Sequence, residues 1–276
     1  MSRISSVEPT VAVIKIGGSI LTNARAYRRA AIFVRNRHRA SPGEKLVVVV
    51  SAQNGVTDAL ERAAKKIVRG PDAAALDLLW STGELRSVAV LALHLQRLGV
   101  AAAGLNIHEA GLCVEGDGRN GHGARGAERV RLNSRWICNA LAEHAVAVVP
   151  GFLGTDAANA VVSLGRGGSD LTAVLLAEGL QASRCELLKD VSGYFTSDPH
   201  RDPSARHLPW LTFEEALALA DEGCDLVQRK AIEAAARCGL PLVIRCLDEA
   251  APVSRVAAAP VERVLAEAGS SIAAAP

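Results

Sequence analysis

Val161-Val-Ser-Leu-Gly-Arg-Gly-Gly-Ser-Asp-Leu-Thr172 changes its structural period midway. An apolar, β-favouring run ends at Ser163, three glycines surround Arg166, and Ser169-Asp170 opens an alanine- and leucine-rich stretch of helical character reaching Leu180. The reading is strand, glycine turn, helix start. Glycine lets the backbone approach a ligand closely, and the unpaired amides at a helix N-terminus attract anions. Arg166 adds a planar fork suited to a carboxylate, whereas Asp170 beside the same ligand repels it unless a cation intervenes. By itself the stretch also reads as a tight turn with Asp170 as an N-terminal helix charge.

Other strand ends repeat the pattern. Upstream, Val11 to Ile16 is apolar enough for a strand buried on both faces and runs into Gly17-Gly18-Ser19. Lys15 interrupts it, and a buried ammonium needs an anion, so this lysine is a phosphate-ligand candidate or else snorkels from an edge strand. Leu46 to Val50 is a second buried strand, followed by Ser51-Ala-Gln-Asn-Gly-Val-Thr-Asp58 and a helix from about Ala59. Small polar residues at the C-terminal ends of parallel strands suit a ligand. Ser81-Thr-Gly-Glu84 lies within or just before a long helical segment reaching Leu98, where Glu84 can bind an ammonium group or serve the helix dipole. Downstream, Ala145 to Val149 and Arg184 to Leu188 read as strands; the second leads into Lys189-Asp190 and on to Asp198-Pro199.

The remaining segments are read similarly. Arg25 to Arg39 has an amphipathic helical pattern with a solvated basic face. Phe213 to Gly223 and Asp225 to Gly239 are predicted helices, and Leu242 to Leu247 a strand. Residues 1 to 10 and 269 to 276 look loose, and the glycine-rich Gly116 to Gly126 looks like a mobile loop.

Composition limits the function classes. With 276 residues and 49% apolar content, the chain can bury one large core or two lobes. Lys plus Arg number 31 against 29 acids, a net charge of +2, and nine aromatic residues give little stacking surface; nucleic acid is not an expected partner. No apolar run approaches the roughly 20 residues that span a bilayer. Val11 to Ile16 is too short for a signal-peptide core, and a cytoplasmic location is expected. Six cysteines without CxxC spacing argue against zinc and need no disulfides.

Taken in order, Lys15-Ile-Gly-Gly-Ser19, Val49-Val-Ser-Ala-Gln-Asn-Gly-Val-Thr-Asp58, Ser81-Thr-Gly-Glu84, Gly151-Phe-Leu-Gly154, Leu164-Gly-Arg-Gly-Gly-Ser-Asp170 and Asp190-Val-Ser-Gly193 through Asp198-Pro199 resemble aspartate kinases. The chain is similar to their catalytic domain, within the amino acid kinase family, over roughly residues 11 to 247. The resemblance implies an α/β fold, a three-layer αβα sandwich around a mainly parallel sheet. It implies one domain over residues 1–276, with an acceptor-binding half at about 11–180 and a nucleotide-binding half at about 181–268. The implied reaction transfers the ATP γ-phosphoryl group, with Mg²⁺, to the carboxylate of aspartate or a similar small amino acid. Other members imply alternatives, namely a phosphate, phosphonate or hydroxyl acceptor; a non-catalytic amino-acid-binding protein is a third reading.

Carried over by resemblance, Lys15 and Asp170 are the catalytic residues. Ser51, Glu84, Arg166 and Ser169 bind the acceptor, with Glu84 on its ammonium and Arg166 on its α-carboxylate. Gly17, Gly18, Ser19, Gly167, Gly168, Lys189, Asp190, Phe195 and Asp198 serve the nucleotide, and no residue is assigned as a metal ligand. The chain departs from the pattern at Tyr194-Phe195-Thr196, where aspartokinases usually carry Val-Tyr-Thr, and at His200, where arginine is usual. Asp225 stands where the Ala-Lys-Val-Leu-His-Pro segment places a lysine, leaving Lys189, Arg229 and Lys230 as candidates to replace that charge. The sequence ends where aspartokinases continue into regulatory domains, so feedback through such a domain is not expected. A homodimer is the expected assembly.

Overall fold

Apolar residues occupy successive positions in Val11–Ile16, Lys45–Val50 and Val146–Pro150, a pattern that demands cover on both faces of a sheet. The computed structural model describes residues 10–115, 129–165 and 167–258. Residues 1–9, the loop expected around 116–126, Arg166 and the tail from 259 onward lie outside the described residues.

In chain order, β1 (Val11–Ile16) leads to α1 (Ala24–Ala40), β2 (Lys45–Val50), α2 (Val56–Ile67) and α3 (Ala73–Arg97). Next come β3 (Ala102–Gly104), α4 (Ile107–Ala110), β4 (Leu112–Glu115), β5 (Arg129–Leu132), α5 (Arg135–Glu143) and β6 (Val146–Pro150). β7 (Leu153–Thr155), β8 (Val161–Ser163), α6 (Gly168–Gly179) and β9 (Cys185–Leu188) follow. Short β10 (Tyr194–Phe195), β11 (His207–Leu208) and β12 (Trp210–Leu211) precede α7 (Phe213–Asp221), α8 (Arg229–Cys238), β13 (Leu242–Arg245) and β14 (Ser254–Val256).

The main sheet has the order β12-β14-β13-β9-β1-β2-β6-β3, and every pairing is parallel except β13 with β14. Strand alternation sends Val13, Val47 and Val149 into a core shared with Ile137 of α5, Leu176 of α6 and Ile232 of α8. The next residues along, Ile14, Val48 and Val148, pack with Val34 of α1 and Leu91 of α3. This is the expected αβα sandwich. Among the described residues, no helix is long and apolar enough to cross a membrane.

The local expectations fail in two places. The helix predicted from Asp225 begins at Arg229, because Gly223 (φ 95°) ends α7 and an irregular turn anchored by buried Val227 separates the two helices. The four-stranded sheet β5-β4-β7-β8 and the strand β14 were not foreseen. Strands of three or four residues are too short to show a period.

On the α1 side of β9, Glu186 is 1 % exposed and collects three arginines: Arg37 at 2.5 Å, Arg184 at 2.8 Å and Arg245 at 3.5 Å. Arg184 also holds Glu44 with two hydrogen bonds, of 2.5 and 2.8 Å. Burial raises the Glu186 carboxyl, but Arg184 and Arg37 outweigh it and hold it below the usual glutamate range. Removing one partner of such a network strands the others. Glu186→Ala is therefore expected to cost about 3–5 kcal/mol in urea unfolding. The native protein should lose this contribution as pH falls through the depressed Glu186 value, and the variant should show a shallower acid-side loss.

Candidate active site

Odd-numbered residues of β1 face α6, so Lys15 projects toward that helix from the penultimate position of the strand. Lys15 is in register with Leu187 of β9, and Lys189 lies two residues further along, just past the end of that strand. A side chain at Gly17 would put its Cβ 3.2 Å from the Lys15 ammonium, and one at Gly18 would meet the Ala52 carbonyl at 2.9 Å. The glycines thus keep clear the space beside the lysine. From β1 the chain moves to β2 and β6 on one side and to β9 and β13 on the other, so this crevice lies at the topological switch point of the sheet.

Asp170 stands in the first turn of α6 and is 2 % exposed. Its Oδ1 lies 2.6 Å from Lys15 Nζ, and its Oδ2 accepts a hydrogen bond from Lys189 Nζ at 2.7 Å and a longer one from the Gln228 amide at 3.4 Å. Burial pushes this carboxyl up, but the two ammonium groups overcome it and hold it at about 2. Asp170 is an anion at every physiological pH. It is no proton acceptor.

The turn before α6 is shaped around the helix start. Gly151 passes so close that an added Cβ would lie 2.7 Å from Ser169 Cβ, and Phe152 adopts φ 69°, a left-handed conformation costly for a bulky residue. The Phe152 amide donates to Thr172 Oγ1 (3.1 Å), whose hydroxyl donates to the Gly168 carbonyl (2.9 Å). Ser51 Oγ donates to Ser169 Oγ at 3.0 Å and so links the end of β2 to α6.

A cavity of about 880 Å³ opens over this cluster. Lys15, Ser51, Glu84 and Ser169 line it, as do the glycine-loop residues Gly18, Ser19, Gly167 and Gly168. Glu84, inside α3, is 3 % exposed, and its Oε2 has no hydrogen-bond partner. Burial pushes its carboxyl up to about 8, against the opposing pull of the Ala52 backbone amide and Lys15. Without a cationic guest it is therefore largely protonated at neutral pH.

Sequence reasoning passed over Asp77, Trp80 and Phe152, which line the same cavity. The Trp80 and Phe152 rings lie 5.7 Å apart, and Trp80 Nε1 is buried without a partner. Asp77 is buried and held by hydrogen bonds from Ser163, yet desolvation raises its carboxyl above the usual range. Asp77, Trp80 and Glu84 recur at three and four residues, one face of α3, and this spacing was available in the sequence. Asp190, Phe195 and Asp198 do not line the cavity. Asp190 is exposed beside Lys189, Phe195 packs edge-on against His207 at 5.3 Å, and Asp198 pairs with Arg201 at 3.3 Å.

Residues 10–246 match the sequence model of the amino acid kinase family. The chain belongs to that family. Among its relatives are an aspartokinase of Thermus thermophilus, 37% identical over 233 residues (84% of this chain and 56% of that one), and an aspartate kinase of Pseudomonas putida, 35% identical over 230 residues (83% and 54%). The chain thus spans little more than half the length of these amino acid kinases. The crystal structure of an aspartate kinase from Synechocystis superposes with a TM-score of 0.76 at 33% identity, covering 91% of this chain and 40% of that one.

The environment of Glu84 yields a stability test. A carboxyl raised by burial stabilises the fold below its ordinary value, and that contribution is lost as pH rises through about 8. Glu84→Gln, neutral at all pH, should match the native melting temperature near pH 4, where Glu84 is protonated in both folded and unfolded chains, and exceed it by a growing margin up to about pH 8, still present near pH 9. Equal melting temperatures at both pH values would show that Glu84 is not a desolvated acid.

Proposed function

We propose that this chain transfers the γ-phosphoryl group of ATP to the carboxylate of aspartate or a similar small amino acid, giving an acyl phosphate and ADP. The observation that carries this reading is Lys15, which lines a cavity and is held from behind by the Asp170 carboxylate it shares with Lys189, while the wall of the same cavity holds the carboxyl of Glu84 with its unpaired Oε2. The identities with aspartokinases support the same choice of acceptor.

Phosphoryl transfer asks a protein for alignment and for positive charge around the transferring oxygens rather than for covalent chemistry. Lys15, fixed by Asp170, supplies such a charge, and the backbone at Gly17, Gly18, Gly167 and Gly168 allows close approach of the phosphates. An acceptor carboxylate oxygen attacks the γ-phosphorus while the bond to the β,γ-bridging oxygen breaks and ADP leaves with the electron pair. The acceptor is already ionised at neutral pH, so no base is needed. Glu84 ionises when it meets the acceptor's ammonium group, which exchanges a protonated buried acid for an ion pair. Ser51 and Ser169 seat the acceptor from the facing ends of β2 and α6, and Arg166 takes its α-carboxylate.

In this reading, residues of about 11–180 form the acceptor half, and those of about 181–268, with Asp190, Phe195 and Asp198, form the nucleotide half. The donor set fits Mg²⁺ brought in on the nucleotide. Asp170 is engaged by two ammonium groups, and Mg²⁺ is content with phosphate oxygens, water and few protein ligands. When bound it supplies charge neutralisation on the phosphate oxygens. Six unpaired cysteines favour a reducing compartment, the cytoplasm, and a homodimer is the proposed assembly.

ATP-dependent hydroxamate formation with hydroxylamine, run across aspartate, glutamate and related acids, tests the reaction. Aspartate or a close analogue should give hydroxamate, and Lys15→Ala should lower the rate by about 10²–10³-fold. Acceptor-dependent ADP release without hydroxamate would move the acceptor to another functional group; neither product would leave an amino-acid-binding protein. Because Glu84 must ionise to hold an ammonium, KM for the acceptor should fall as pH rises toward about 8. In Glu84→Gln it should be raised and lose that dependence.

A further inference from the structure

We infer that Lys189 is the second cation at the transferring phosphoryl group, doing from the end of a central strand what Asp225 is unable to do from the turn before α8. The inference rests on the phosphotransfer reading above. It concerns a charge for which the sequence offers three claimants, Lys189, Arg229 and Lys230.

The geometry separates them. Arg229 and Lys230 are exposed at the start of α8, and Arg229 is engaged outward by Asp221 and by Glu233, the latter at 2.8 Å. Neither lines the cavity, and Asp225 itself is exposed and absent from its walls. Lys189 is not a wall residue of the cavity either, but it differs from them in burial and in the partner it shares with Lys15, which does line the cavity. Its side chain is only 11 % exposed, and its ammonium reaches Asp170 Oδ2 at 2.7 Å, while Lys15 occupies Oδ1 of the same carboxylate at 2.6 Å. Lys15 pairs with Leu187 of β9, Lys189 follows that strand directly, and both ammonium groups reach the first turn of α6 at Asp170.

Charge counting shows what the arrangement lacks. One carboxylate faces two buried ammonium groups, and the nearest other acid facing Lys15, Glu84, is protonated when no cation accompanies it. A positive charge is left over beside the cavity that Lys15 lines. Burial and the neighbouring Lys15 make Lys189 easier to deprotonate than a free lysine, and only Asp170 and the more distant Asp190 oppose them. If Lys189 served only to buttress Asp170, the single partner Lys15 would suffice to neutralise that carboxylate. An anion carrying several oxygens, entering over Gly17 and Gly18, completes the cluster, and a polyphosphate terminus has that chemistry.

The test compares a nucleotide that carries the terminal phosphates with one that lacks them. Lys189→Met, and Lys189→Gln, which keeps a donor toward Asp170, are titrated by calorimetry with adenylyl imidodiphosphate and with AMP, alongside melting curves. The inference expects the triphosphate analogue to weaken by at least about tenfold and AMP by less than about twofold. Equal weakening of both nucleotides, or of neither, in a variant that melts like the native protein would overturn it. Arg229→Ala and Lys230→Ala change exposed residues and should leave analogue affinity unaltered; a tenfold loss in either would also overturn it. Native protein that binds the analogue but forms no hydroxamate would refute the choice of acceptor reaction and leave the reading of Lys189 standing.

Discussion

The buried carboxylate of Asp170, gripped from both sides by lysines of adjacent strands, is the contact on which the site depends. Neither lysine has a reason to be in the interior without it, since an unpaired buried ammonium is strongly disfavoured. Both ammonium groups in turn hold the Asp170 carboxyl down against its burial. The surrounding backbone accommodates the trio. Gly17 leaves room for the ammonium groups, Gly151 lets the first turn of α6 come near, and Phe152 accepts a left-handed conformation that Thr172 helps to hold. Strain is thus concentrated at one end of a sheet that otherwise buries mainly aliphatic residues, with the Glu186 network as a second desolvated cluster.

Across the cavity, Glu84 follows the opposite rule. It has no partner for Oε2, sits in an apolar setting and prefers its proton. The two buried acids therefore hold opposite charge states for one physical reason: Asp170 is in direct contact with two ammonium groups, whereas the weaker pull of Lys15 on Glu84 is outweighed by burial. That contrast gives the cavity polarity, with a permanently charged floor and a wall that becomes charged only when a cation arrives. Trp80 and Phe152 form an apolar flank between these regions, and the indole N–H remains available to an oxygen acceptor.

Much of this was legible in the sequence because it is local. The strand, glycine turn and helix around residues 161–172 are signalled by residue type and spacing, and a lysine interrupting an apolar strand announces an anion nearby. The anion holding Lys15 turned out to be Asp170, a residue singled out independently. What could not be read was the partnership with Lys189, because it depends on the register of β1 against β9, which no local pattern encodes. The start of α8 was misplaced for a related reason: Val227 continues the helical spacing of Ala231, Ala234 and Ala235 backward past the true boundary, whereas in the fold it anchors the turn by packing into the core. The α3 face bearing Asp77 and Trp80 was legible in the helical spacing of Asp77, Trp80 and Glu84.

The parallel pairing of β1 with β9 also governs how the protein comes into being. Val13 meets Cys185, so the strand bearing one lysine is completed on that edge only by a segment synthesised far later. On a ribosome, β1 and β2 can associate early, while the edge of β1 waits unpaired. Long-range parallel pairing is slow and leaves such edges open to wrong partners. The buried charges therefore come together late in assembly, and a chain interrupted before residue 185 would carry Lys15 and Asp170 without the strand that supports their shared arrangement.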